Sequence, residues 1–184
     1  MSEYNKRSVV LDHNFPVMPI ILMAAAIILR LVSGGPLLEG IIFHACAVLM
    51  IMGMILHRMN LQILTGIGTL GYALYSLVSV VKSLMSYEYL SFLNVFAIIL
   101  FLLVVAAYTV AGLHYVLRRP KPGKSAKLIL MIPLTCLWII YALMLFISVC
   151  RYVPLTTAVS VLINHLSFIL MTFALMIYTP FREA

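Results

Sequence analysis

At 184 residues, with 65% hydrophobic and 9% charged residues and a mean hydropathy of +1.17, the chain is too apolar to be a soluble domain. Soluble domains carry about 25% charged residues, so the bilayer is the solvent that suits this composition. The formal charge of +7 flanks apolar runs, which excludes a nucleic-acid surface and fits a rim against anionic lipid.

Six apolar runs follow one another: Phe15–Ser33, Leu37–Leu56, Leu61–Leu84, Tyr89–Leu117, Leu128–Cys150 and Thr156–Tyr178. Runs of about 20 residues cross a ~30 Å hydrocarbon core. Backbone polar groups in lipid must be satisfied within the segment, so each run is predicted to be a helix. The expected fold is all-α: one integral membrane domain, a six-helix bundle.

The first run follows Lys6 and Arg7, as a signal peptide would. It is too long for one, carries Arg30 near its end and is followed by no Ala-x-Ala site, so it reads as a retained anchor. The second run opens near Glu39, holds His44 and Cys46, and ends at His57 and Arg58. The third contains "GIGTLG" at Gly66 to Gly71, a match to G-x-G-x-x-G without the strand that a dinucleotide site requires. Small residues allowing close helix contact account for it better. After the fourth run comes "RRPKPGKSAK", whose prolines and glycine make it the chain's one linker.

Lys and Arg set the orientation. With the N-terminus inside, the cytoplasmic segments hold Lys6, Arg7, Arg58, Arg118, Arg119, Lys121, Lys124, Lys127 and Arg182. The opposite side holds only Arg30, Lys82 and Arg151. That positive-inside bias predicts a multi-pass protein of the plasma (inner) membrane with both termini cytoplasmic.

One phrase occurs twice. "YALYSLVSVVK" closes on Lys82 and "YALMLFISVCR" closes on Arg151, both in odd-numbered runs heading outward. "IILMAAAIILR", ending on Arg30, is a weaker third copy. Glu39, Ser91 and Ser160 share one offset after their cations, and His44 and His165 share another. This suggests three helical-hairpin repeats, an arrangement that builds substrate sites at repeat interfaces in transporters. Leu, Ala and Val matches are cheap in apolar sequence, so Tyr, Ser and the cation carry the signal. The Pro-x-Asp/Glu-x-x-Lys/Arg signature of mitochondrial carriers is absent. Consecutive Ala24, Ala25 and Ala26 do not make the Ala-x-x-x-Ala of vitamin-transporter binding subunits.

The polar residues within the runs fall in stripes. Tyr72, Tyr75, Ser76, Ser79, Lys82 and Ser83 recur at helical spacings, as do Thr157, Ser160, Asn164 and Ser167. Tyr141 and Ser148 occupy the repeat-matched positions of the fifth run. Tyr72 and Tyr141 lie ~15 Å below their cations at 1.5 Å per residue. Together these stripes could line a hydrophilic pocket in the outer half, or tie helices to one another. Arg30, Lys82 and Arg151 read either as side chains snorkelling to headgroups or as a rim attracting an anionic solute.

No catalytic motif is present. The acidic residues Glu3, Asp12, Glu39, Glu88 and Glu183 all lie outside the deep membrane, which argues against carboxylate proton relays and an aspartyl protease. Neither His-Glu-x-x-His nor Gly-x-Ser-x-Gly occurs. Cys46, Cys136 and Cys150 lack the spacing of a zinc site. Histidine offers a rival: His44 with His165, and His57 with His114, at two depths, resembles the layout of a di-haem b-type cytochrome subunit, whereas interfacial or packing histidines are the plainer account.

The expectation is a small-solute permease or solute-binding membrane subunit for a neutral or anionic molecule. Its expected binding residues are Tyr72, Ser76, Ser79, Lys82, Tyr141, Ser148, Arg151, Ser160 and Asn164, with no metal or cofactor. Its partners would be the bilayer and membrane or ATPase subunits. The alternatives are the haem b cytochrome and a non-catalytic scaffold.

Overall fold

The computed structural model of the chain describes residues 9–11, 15–34, 37–56, 59, 61–86, 91–117 and 123–183. Six helices dominate them: α1 (Val17–Ser33), α2 (Leu37–Ile55), α3 (Ile63–Ser86), α4 (Phe92–Val116), α5 (Gly123–Cys150) and α6 (Leu155–Ile177). Four of these, α3 to α6, are long and apolar enough to cross a membrane, while α1 and α2 are shorter. At ~1.5 Å per residue α1 still extends ~26 Å, the lower end of what spans a bilayer. The fold is an all-α, six-helix membrane bundle.

Local chemistry sets several helix ends. Gly34, at φ 62°, closes α1 in the left-handed conformation that only glycine takes without cost. The Ser91 hydroxyl accepts from the Asn94 amide at 3.3 Å and caps α4. Pro154 precedes α6, where its missing N–H costs nothing. Helix α5 begins at Gly123, ahead of the expected Leu128, and takes part of the linker into the helix. Within this extension Lys127 is fully buried rather than standing at the rim.

Each helix packs against its neighbours in sequence, and α6 packs back on α1, closing a ring. Helix α1 leans far more on α6 than on α2, so packing does not set three hairpins apart. The glycines of "GIGTLG" work on two flanks. A Cβ on Gly66 would lie 2.9 Å from the Gly112 carbonyl of α4, and one on Gly68 would lie 2.6 Å from the Cys46 carbonyl of α2. Helix α3 therefore touches both neighbours at backbone distance.

A short antiparallel pair, β1 (Val9–Leu11) with β2 (Phe181–Glu183), joins the segments before α1 and after α6. It marks one end of the bundle, called here the terminal end. Buried side chains bond across this half. The Tyr108 hydroxyl meets Thr172 Oγ1 at 2.9 Å, and the Tyr115 hydroxyl donates to the Leu175 carbonyl at 3.0 Å, linking α4 to α6 across the ring. Met23, Met50, Met54, Met131 and Met171 fill the remaining interior with flexible, polarizable side chains.

Candidate functional site

The opposite half of the bundle is not filled. A cavity of about 290 Å³ opens there, and every helix contributes to its wall. Arg30 comes from α1, Glu39 and Phe43 from α2, and Tyr72, Tyr75, Ser79 and Ser83 from α3. Phe101 comes from α4, Trp138, Tyr141 and Leu145 from α5, and Asn164, His165 and Phe168 from α6.

Arg30 dominates the electrostatics of this space. It is 3% exposed, although it lies in the last turn of α1. Its helix buries Pro19, Met23, Ala26, Arg30 and Ser33 along one stripe facing the interior, which carries the guanidinium inward. The guanidinium carbon stands 5.3 Å from the Phe168 ring centroid and 5.8 Å from that of Phe43. Such placement over aromatic faces is favourable for a desolvated cation. Among the described residues its ion pair is with Glu39, Nη2 to Oε2 at 3.4 Å. That is long beside the 2.7–2.9 Å of a charge-assisted bond. Nε and Nη1 are buried and have no hydrogen-bond partner.

Around the cation the wall is aromatic. Trp138 stacks on Phe168 at 5.1 Å and 12°. Tyr141 meets His165 edge-on at 5.5 Å, and Phe43 meets Phe168 edge-on at 5.4 Å. Polar groups enter between these rings: Ser79 and Ser83 from α3, and Asn164, whose carboxamide oxygen is buried without a partner. Buried polar atoms are ordinarily hydrogen-bonded, so unspent donors on Arg30 and an unspent acceptor on Asn164 in one cavity single this place out.

The residues expected from the sequence divide. Tyr72, Ser79, Tyr141 and Asn164 line the cavity. Ser76 is buried beside it and donates to the Tyr72 carbonyl at 2.9 Å. Ser160 donates to the Ser33 carbonyl at 2.5 Å, fastening α6 to the end of α1. Ser148 is half-buried off the cavity, and Thr157 is exposed. Lys82 borders a shallow apolar groove on the outer face of α3, with Leu77, Val78, Val81 and Met85. Arg151 is exposed in the turn after α5. Lys82 is exposed near the end of α3 and is not part of the cavity wall, although Tyr75, on the same side of the helix, is. Of the three cations aligned by the repeat, only Arg30 faces inward.

Histidine geometry bears on the haem alternative. His44 Nδ1 pairs with the Gly40 carbonyl and His165 Nδ1 with the Val161 carbonyl at 2.7 Å, leaving each Nε2 as the outward nitrogen. His165 lines the cavity and His44 does not, whereas axial ligation needs both imidazoles on one space. His114 is buried in α4 against Tyr115. His57 lies outside the described residues, as do Glu88, Arg58, Arg118, Arg119 and Lys121. Among the described residues no group of three or more His, Cys, Asp or Glu could hold a metal ion.

Sequence reasoning passed over Phe43, Phe101, Trp138, Phe168 and the inward face of Arg30. For Arg30 a signal existed: Ala26, Arg30 and Ser33 form a small-and-polar stripe opposite Ile28, Leu31 and Val32, which are exposed to the surroundings.

No family model, curated protein or solved structure matches this chain.

Proposed function

We propose that the protein is a small-solute permease or solute-binding membrane subunit, and that the Arg30 cavity is its binding site. One observation carries this reading: a buried guanidinium with two unpartnered nitrogens in a cavity walled by all six helices. An ionisable group inside a membrane bundle is costly and ordinarily marks a substrate path or a paired site. Here the pair is a single long contact, which leaves most of the guanidinium for something else.

The excess of Lys and Arg near the chain ends and after α4 supports a cytoplasmic terminal end. On that orientation the cavity opens to the exterior of the plasma membrane. A membrane or ATPase partner subunit would then drive transport. A scaffold role would follow if the polar residues served helix packing alone. The haem b alternative is the weaker one, because His44 and His165 do not share the cavity.

The test is water access. In a background with Cys46, Cys136 and Cys150 replaced, Ser79→Cys should react with a small membrane-impermeant thiol reagent added from outside. Val78→Cys, on the exposed outer face, should not react, because thiolate does not form against lipid. If Ser79→Cys stays unlabelled from outside, the cavity is sealed and the scaffold role replaces this one.

A further inference from the structure

We infer that the occupant of the cavity is a small aromatic monoanion, its carboxylate on Arg30 and its ring against Trp138 and Phe168, with Glu39 holding the place of that carboxylate when the site is empty. This rests on the solute-binding reading above.

Charge comes first. Arg30 and Glu39 together are neutral, so an added anion would crowd a carboxylate already at the guanidinium. Glu39 can leave. Its side chain is 51% exposed whereas that of Arg30 is 1% exposed, so the acid reaches water and the base does not. Moving a half-hydrated carboxylate outward costs little, while the buried guanidinium needs a counter-charge wherever Glu39 goes. A ligand carboxylate supplies it. A neutral ligand would not, and a multiply charged one would bring charge that nothing in the cavity wall balances. Among the wall residues Arg30 and Glu39 are the charged ones, and His165 supplies an imidazole.

Shape comes second. The space, about 290 Å³, lies at the small end of the ~300–1,000 Å³ typical of ligand pockets. A single ring with a short acidic arm suits it. The wall carries the rings of Phe43, Tyr72, Trp138, Tyr141 and Phe168, whose edges and uncovered faces favour offset or edge-on contact with a further ring. An aliphatic acid of similar length would bind Arg30 but forgo those contacts. The Asn164 oxygen adds an acceptor for a ligand hydroxyl or amine.

The chain's single tryptophan, Trp138, makes the test direct. Purified protein in nanodiscs is titrated with phenylacetate, phenylacetamide, butyrate and inorganic phosphate while its fluorescence is followed. Phenylacetate should give a saturable change, and phenylacetamide and butyrate should bind about tenfold more weakly or worse, as expected for losing a charged hydrogen bond or the ring contacts. Arg30→Gln should weaken phenylacetate by about tenfold or more. Glu39→Gln should strengthen it, because the competing carboxylate is gone. If Arg30→Gln does not fold, Arg30→Lys and the acid–amide comparison on the unaltered protein decide the matter. Equal binding of the amide or of butyrate overturns the inference, and so does weaker binding by Glu39→Gln. Absence of any response in a protein whose Ser79→Cys variant still labels from outside overturns the aromatic anion and leaves the solute-binding reading standing. Unlabelled Ser79→Cys removes both.

Discussion

Among the described residues a lysine and an arginine are buried, one in each half of the bundle, and they are treated in opposite ways. Lys127 in the terminal half has its ammonium 2.6 Å from the Tyr178 carbonyl, 3.1 Å from that of Leu175 and 3.4 Å from the Tyr115 hydroxyl. The two carbonyls belong to the end of α6, where unsatisfied C=O groups and the helix dipole favour a cation. The Tyr115 ring adds a face at 5.4 Å. Arg30 in the other half has two aromatic faces, one long ion pair and nitrogens without partners. Lys127 completes the protein; Arg30 is left incomplete by it. Burial alone does not single out a candidate binding residue; donors left over do.

The comparison breaks if the two cations respond alike to removal. Lys127→Ala should lower stability by roughly 2–4 kcal/mol, since it leaves the Tyr115 hydroxyl alone to serve the Leu175 and Tyr178 carbonyls and opens a void. Thermal unfolding in detergent would show a clear fall in Tm. Arg30→Gln should leave Tm nearly unchanged or raise it, because it removes a poorly compensated buried charge while abolishing ligand response. A large loss of stability in both variants would make Arg30 a packing element.

A second expectation sharpens the contrast between the two halves. Gly66→Val places a branched side chain where a Cβ would already lie 2.6 Å from the nearest Val116 methyl and 2.9 Å from the Gly112 carbonyl. Overpacking of this kind costs roughly 1–3 kcal/mol, and here backbone would have to part from backbone. The measure is again Tm, with phenylacetate binding by surviving protein expected to be unchanged. Loss of binding without loss of stability would mean that the α3–α4 contact shapes the cavity.

The smallest effect is expected at Ser160→Ala. Its bond to the Ser33 carbonyl is an interhelical hydrogen bond, worth on average ~0.6 kcal/mol in a membrane bundle. A change in ligand affinity exceeding the change in stability would return Ser160 to the binding site.

Much of the fold was legible, because apolar length and backbone satisfaction in lipid permit little else. The start of α5 was not. A cation ends an apolar run on paper, but Lys127 is inside because α6 ends beside it, and that adjacency is tertiary. The polar stripes led to Tyr72, Ser79, Tyr141 and Asn164, which line the cavity, since a polar group in a membrane helix tends to face inward. Ser76, Ser148 and Ser160 obey the same periodicity without reaching the cavity. Their hydroxyls can bond a carbonyl nearby, and the sequence does not reveal which ones do so. The aromatic wall was invisible for another reason. A Phe facing lipid and a Phe facing a cavity are spelled alike, and only ring closure separates Phe168 from exposed Phe92. Arg30 read as a rim cation because it stands near a helix end, and its inward direction follows from the packing of α1 on α6.

That seam between the first and last helices has a consequence for biogenesis. As the chain is made, α1 enters the bilayer long before α6 exists, so the Phe168 face is not yet there for Arg30. In the nascent protein its guanidinium sits one turn from the end of a solitary helix, within easy reach of lipid phosphate. Only when the final helix arrives can it exchange phosphate for an aromatic interior. On that order of synthesis the same arginine would hold α1 at the headgroups first and enter the cavity afterwards. Closure of the ring is the step that converts one role into the other.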